Sequence, residues 1–165
     1  MCAMCSQRSK LRSSIMAVNN SILNNLTRTV EQLQSSINNS IQESINSNKD
    51  EIKQLQTQEQ LFQGKDSKGI DIKPSYAAST IKIKRRKGLP TDRVTLFDSG
   101  DFYRSLEVVA GKNDAIIRTI ISYSVFLVNK YADILGLDKE SWTKFLAEYT
   151  IPTIKKNFDD IIAKS

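Results

Sequence analysis

The chain contains no histidine and only two cysteines, Cys2 and Cys5, which form a single C-x-x-C near its start. The commonest general base is therefore missing, and so are the usual nucleophilic dyads. One C-x-x-C with no second pair and no histidine cannot close a four-ligand zinc site within a single subunit. Neither GxxxxGK(S/T) nor GxGxxG occurs, so nucleotide binding has no support and no cofactor is expected. No run of about 18 apolar residues is present, which removes a membrane-spanning helix. The opening MCAMCSQRSKLRSS lacks the apolar stretch of a secretory signal, so the expected compartment is cytosol-like. What remains is 165 residues with 39% hydrophobic content, enough for one modest domain and an extension.

The first third carries one long apolar stripe: Leu11, Ile15, Val18, Ile22, Leu26, Val30, Leu33, Ile37, Ile41, Ile45, Ile52 and Leu55, in steps of three or four with a gap at Asn48. The eleven-residue spacing from Leu11 through Ile22 and Leu33 to Leu55 is close to the pitch of a straight helix and does not impose a left-handed supercoil. Such a helix is about 65 to 70 Å long at 1.5 Å per residue. Its other face is rich in asparagine, serine and glutamine, which are weak helix formers. The helix therefore depends on burial of its stripe, against its own chain or another copy.

Residues 62 to 79 read as a loop punctuated by Gly64, Gly69 and Pro74. Thr80 to Arg86 reads as an extended or short helical piece carrying bases. Val94 to Phe97 reads as a short strand or extended lead-in, and Asp98 or Ser99 as the cap of a helix from Gly100 to Leu106 with Phe102, Tyr103 and Leu106 buried. Leu106–Ala110 and Ala115–Ser122, separated by Gly111 to Asp114, predict a β-hairpin. After Tyr123–Tyr131, Gly136 is expected to end one element and Asp138 to cap the next, an amphipathic helix bent at Pro152.

Charge is uneven. Residues 61 to 100 hold nine Lys/Arg against four Asp/Glu, whereas residues 101 to 165 hold nine of each. The excess centres on Lys82, Lys84, Arg85, Arg86, Lys87 and Arg93, a candidate interface for DNA phosphates, for an acidic surface on a neighbouring subunit, or simply a solvated face. No aromatic residue interleaves with these bases, so stacking on exposed bases is not expected. Asp92, Asp98 and Asp101 lie close by and resemble the carboxylate set of a metal-dependent nuclease. The plainer reading places Asp98 and Asp101 at a helix start, stabilising exposed amides, and assigns no catalytic or metal-binding residue.

The segment RKGLPTDRVTLFDSGDFYRS, with NKYADILGL further on, resembles the head-to-tail joining proteins of tailed bacteriophages, also called neck, tail-completion or minor virion proteins. Related sequences read Asp-Thr-Gly where this one has Asp98-Ser99-Gly100; the motif here is Asp98, Ser99, Gly100, Phe102, Tyr103 and Ser105, and Tyr131 occupies the later aromatic segment. The likeness spans approximately Leu61 to Asp160. It implies an α+β domain, a small antiparallel sheet packed by helices, arranged as a ring of copies at the head–tail joint of the virion. The implied partners are copies of itself and portal, neck or tail proteins, with the packaged DNA as a further candidate; no membrane, no small-molecule substrate and no enzymatic activity are implied. The expected organisation is a basic cysteine-containing tip over 1–10, a long helical extension over 11–60 and the α+β domain over 61–165. The long helix and the tip are additions to the short versions of these proteins.

Overall fold

The computed structural model describes residues 3–111 and 114–163, with side chains in the first helix from Asn20 onward. Cys2, Lys112 and Asn113, and the side chain of Cys5, therefore lie outside the described residues. The chain is α+β: a long N-terminal helix is followed by a small domain in which helices pack on an antiparallel hairpin.

Helix α1 (Ala3–Ser47) is followed by α2 (Lys49–Gln54), a π turn (Leu55–Gln60) and a 3-10 turn (Leu61–Gln63). The break between α1 and α2 falls at the stripe gap, where the Asn48 side-chain amide donates to the Ser44 carbonyl at 2.8 Å. The remaining helices are α3 (Ala78–Arg86), α4 (Asp101–Arg104), α5 (Ser124–Lys130), α6 (Lys139–Phe145) and α7 (Ile151–Ala163). The hairpin pairs β1 (Leu106–Ala110) with β2 (Ala115–Thr119).

Two compact units are present, residues 1–39 and residues 40–165. The second starts some twenty residues earlier than the sequence suggests, because the stripe turns inward: Ile45, Ile52 and Leu55 are buried in the domain core. Small residues permit this approach. Ser44 meets Thr150 at 3.1 Å, and Asn157 of α7 donates to Ser40 at 3.0 Å and to Glu43 at 2.8 Å. In the first unit the stripe stays exposed, from Ile22 to Ile37.

The hairpin forms as its β-branched residues predict. Leu106, Val108 and Ile117 face the core, with β1 against α2. The other face carries a Glu107–Arg118 ion pair at 3.0 Å and the opposed pair Val109–Ile116. Asp138 caps α6 by accepting from the Ser141 amide at 2.8 Å. Pro152 acts one turn earlier than a simple bend: Leu146–Thr150 widens into a π turn whose Leu146 carbonyl accepts the Ile151 amide, absorbing the donor that proline lacks. Phe145, fully buried, lies between Trp142 and Tyr149 at ring distances of 5.5 and 5.4 Å.

Three local expectations are corrected. Val94–Phe97 forms no strand, because Leu96 takes a left-handed backbone with φ of 53°. The helix after it is a single turn ending at Arg104, and Leu106 already belongs to β1. Helix α5 ends at Lys130, so Gly136 terminates no helix; it turns the following loop with φ of 119°.

Candidate functional site

The six candidate cations do not act as one group. Lys84 is buried under α3; its ammonium donates to the Phe97 carbonyl and lies 4.7 Å from the centre of the Tyr76 ring. Lys87 pairs with Asp98 at 2.7 Å. Arg93 donates from Nε to the Phe62 carbonyl at 2.9 Å and from Nη1 to Asp92 at 2.8 Å. These three fix α3 and the following turn to the body of the domain. The side chains of Lys82, Arg85 and Arg86 are exposed and make no ion pair or hydrogen bond among the described residues. Spaced i, i+3 and i+4, they share one helix face, lining a shallow concavity of ≈ 450 Å³ with Ala78 and Ile81. Part of their placement is local: cations in the last turn of a helix complement its dipole.

The motif residues build a shaped loop. The Tyr76 hydroxyl accepts the backbone amides of Thr95 at 2.9 Å and Leu96 at 3.0 Å, and the buried Tyr103 hydroxyl donates to the Thr95 carbonyl. Burial pushes the Tyr103 phenol well above its ordinary pKa. Gly100, with φ of 85°, takes the N-cap position of α4, so neither Asp98 nor Ser99 caps it. A Cβ there would meet the Arg104 guanidinium at 2.9 Å and the Phe97 ring at 3.2 Å, on top of the cost of a left-handed backbone. Ser99 instead donates to the Asp101 carboxylate, which also binds Arg104; the serine hydrogen bond and then the guanidinium hold that carboxyl below its usual range. Ser105 donates to the Phe102 carbonyl at 2.7 Å and reaches Thr119 of β2 at 2.9 Å.

Asp92, Asp98 and Asp101 are thus each paired with a different cation. Among the described residues no three carboxylate or cysteine side chains gather as a metal site would require.

The second segment of the resemblance is also held by side chains. Gln56 and Gln60, both fully buried, act as paired clamps on the loop before α6. Gln56 donates to the Ile134 carbonyl at 3.1 Å and accepts the Gly136 amide at 2.9 Å; Gln60 donates to the Gly136 carbonyl at 2.8 Å and accepts the Asp138 amide at 2.9 Å. Tyr131 is buried, with the Lys130 ammonium 5.1 Å from its ring centre.

Between these loops lies a surface that the sequence reading missed. Helix α5 carries Val125, Phe126, Leu127 and Val128 in succession, and a run of four apolar residues encircles so short a helix. Leu127 turns inward, lining a hollow of ≈ 350 Å³ with Leu96, Phe97 and Tyr131. Phe126 is 76% exposed and Val125 59%. Ile116 on the outer hairpin face and Ile120 beyond β2 are also exposed. Exposed apolar residues scattered singly are ordinary, whereas a contiguous apolar patch marks a binding surface; Val125 and Phe126 are adjacent on α5.

No family model, curated protein or solved structure matches this chain. The likeness to the phage joint proteins therefore rests on the residues quoted above.

Proposed function

We propose that this chain is a non-enzymatic structural protein of a tailed-phage virion, assembling as a homo-oligomeric ring in the neck or upper tail and contacting the ring layers above and below. The observation that carries the reading, beside the Asp98–Ser105 motif, is the uncovered apolar surface of α5. Phe126 and Val125 project from a helix whose inner side is anchored by Leu127, the arrangement of an aromatic anchor awaiting a pocket on its neighbour. The well-fixed loops on either side support the same reading, since a ring requires each copy to present an identical, rigid surface.

Peptide mapping of purified virions is expected to recover this polypeptide together with portal and tail proteins. In solution, light scattering is expected to give a ring-sized mass for the full chain. Phe126→Asp should weaken each contact roughly 30-fold or more, the scale of a lost interface anchor. Absence of the polypeptide from virions removes the reading, as does a monomeric mass unaffected by that substitution.

A second reading, a basic DNA-associated protein, is favoured by one observation: Lys82, Arg85 and Arg86 make no ion pair among the described residues. If it holds, replacing all three by glutamine should lower the slope of log affinity against log salt for duplex DNA by about 2 to 3. Replacing Lys84, Lys87 and Arg93 should instead lower stability, because those side chains hold the fold. Duplex binding unchanged by the first triple substitution would dismiss this reading.

A further inference from the structure

The hairpin leaves two rows of backbone groups without partners. Its register sets Leu106 opposite Thr119 and Ala110 opposite Ala115, and two further bonds close its ends: the Gly111 amide donates to the Asp114 carbonyl at 2.8 Å and the Ile120 amide to the Ser105 carbonyl at 3.2 Å. Hydrogen-bonded pairs alternate along an antiparallel ladder, so Glu107 bonds to Arg118 and Val109 to Ile116. The amides and carbonyls of Leu106, Val108 and Ala110 on β1, and of Ala115, Ile117 and Thr119 on β2, therefore point away from the partner strand. Among the described residues none of these groups is hydrogen-bonded. Side chains of the first two helices reach only the flanks of β1: Gln42 donates to the Gly111 carbonyl at 3.1 Å and Lys53 to the Arg104 carbonyl at 2.8 Å.

Proline, lysine or a bulge ordinarily blunts a strand edge that must stay single. LEVVA and AIIRT pair in unbroken register and contain none of these. The two edges lie on opposite sides of a two-stranded sheet, so hairpins joined edge to edge run head to tail from copy to copy, the heterologous contact from which rings are built.

The outer face decides which edges meet. It carries Glu107 and Val109 on β1 and Arg118 and Ile116 on β2, and Val109 and Ile116 are exposed. With Ile117 of one copy bonded to Val108 of the next, Arg118 lies beside Glu107 of that copy and Ile116 beside its Val109, and all five residues of each strand are paired. A slip of two residues moves Arg118 beside Val109 or Ser105. Antiparallel pairing of β2 with β2 about Ile117 sets Arg118 against Ile116, and of β1 with β1 about Val108 sets Glu107 against Val109. The mixed pair is the one of these that matches charge with charge and apolar with apolar.

We infer that β2 of one copy adds to β1 of the next through Ile117 and Val108, joining the hairpins into one continuous antiparallel sheet. Closure of that sheet rests on the ring reading, whose subunit contact it names.

The test is oxidative cross-linking of two co-expressed variants of the full chain, both with Cys2 and Cys5 changed to serine, one carrying Val109→Cys and the other Ile116→Cys. In the inferred sheet these positions form a non-hydrogen-bonded pair with Cα atoms about 4.5 Å apart, within the range of about 4.4 to 6.8 Å that a disulfide spans. Either variant alone places its cysteines two strands apart, about 9 to 10 Å, and should stay uncross-linked. In the control mixture Ile120→Cys replaces Ile116→Cys; Ile120 is also exposed and stands four residues out of register. Mixed dimer is expected to form roughly tenfold or more faster for 109 with 116 than for 109 with 120. Equal rates, or no dimer of 109 with 116 while light scattering of the same mixture reports a ring, would overturn the edge contact and leave the ring reading intact. A monomeric mass with no dimer removes both, and dimer of 109 with 116 without a ring upholds the edge contact and removes the ring.

Discussion

Replacing Gln56 and Gln60 together by leucine is expected to remove on the order of 5 kcal/mol of stability, enough to leave the domain largely unfolded at 37 °C. Leucine has nearly the volume of glutamine, so the change is not chiefly one of packing. It strips partners from four backbone groups: the carbonyls of Ile134 and Gly136 and the amides of Gly136 and Asp138. A buried group left without a partner costs about 1 to 3 kcal/mol; the Ile134 bond is buried and the other three are partly so, and neighbouring losses do not add fully. Even half the sum approaches the entire stability of an ordinary domain, about 5 to 15 kcal/mol. Urea denaturation at 25 °C, with the single variants for comparison, measures this directly. A double variant within about 1 kcal/mol of the original would mean that water satisfies the loop and that the clamps are incidental.

These glutamines also mark where sequence reasoning stops. Two glutamines four residues apart in a polar helical stretch look like a solvent face, and only the tertiary structure brings the 134–138 loop against them. The stripe of α1 and the hairpin were legible because each is written as a period, three to four residues in one case and alternation bounded by Gly111 and Asp114 in the other. The start of the compact unit at Ser40 was not, since the stripe keeps its character where it passes from exposed to buried. Val94–Phe97 alternates as a strand should, but Tyr76, some twenty residues earlier in the chain, binds the Thr95 and Leu96 amides, Tyr103 binds the Thr95 carbonyl, and Leu96 stands in the left-handed region. The basic run was visible as charge, and its division was not. Lys84, Lys87 and Arg93 are structural because Phe97, Asp98, Asp92 and Phe62 meet them in space. The surface of α5 had a readable signal in SVFLVNK, four consecutive apolar residues on a helix too short to bury them all.

The two segments that carry the phage resemblance are largely irregular, each pinned by side chains bonded to backbone. That gives the motif a physical role independent of any chemistry: it sets the shape of the surface around α5. The loop from Thr95 to Asp101 can be tested alone. Tyr76→Phe removes the one acceptor shared by the Thr95 and Leu96 amides, and is expected to cost about 2 to 4 kcal/mol. Tyr103→Phe leaves only the Thr95 carbonyl without its hydroxyl partner, and a carbonyl tolerates this better than an amide, so about 1 to 2 kcal/mol is expected. Hydrogen exchange separates a local from a global effect. In Tyr76→Phe, the Thr95 and Leu96 amides should lose protection first, while the hairpin amides keep theirs until the domain as a whole unfolds. The reverse order of the two variants, or protection at Leu96 unchanged by loss of the Tyr76 hydroxyl, would show that the left-handed turn is held by packing of Phe97 and Leu96 and that the tyrosine bonds only accompany it. If the order stands, weakening of the proposed ring assembly in Tyr76→Phe without any change on α5 itself would tie the motif to the surface through the hollow that Leu96, Phe97 and Leu127 share.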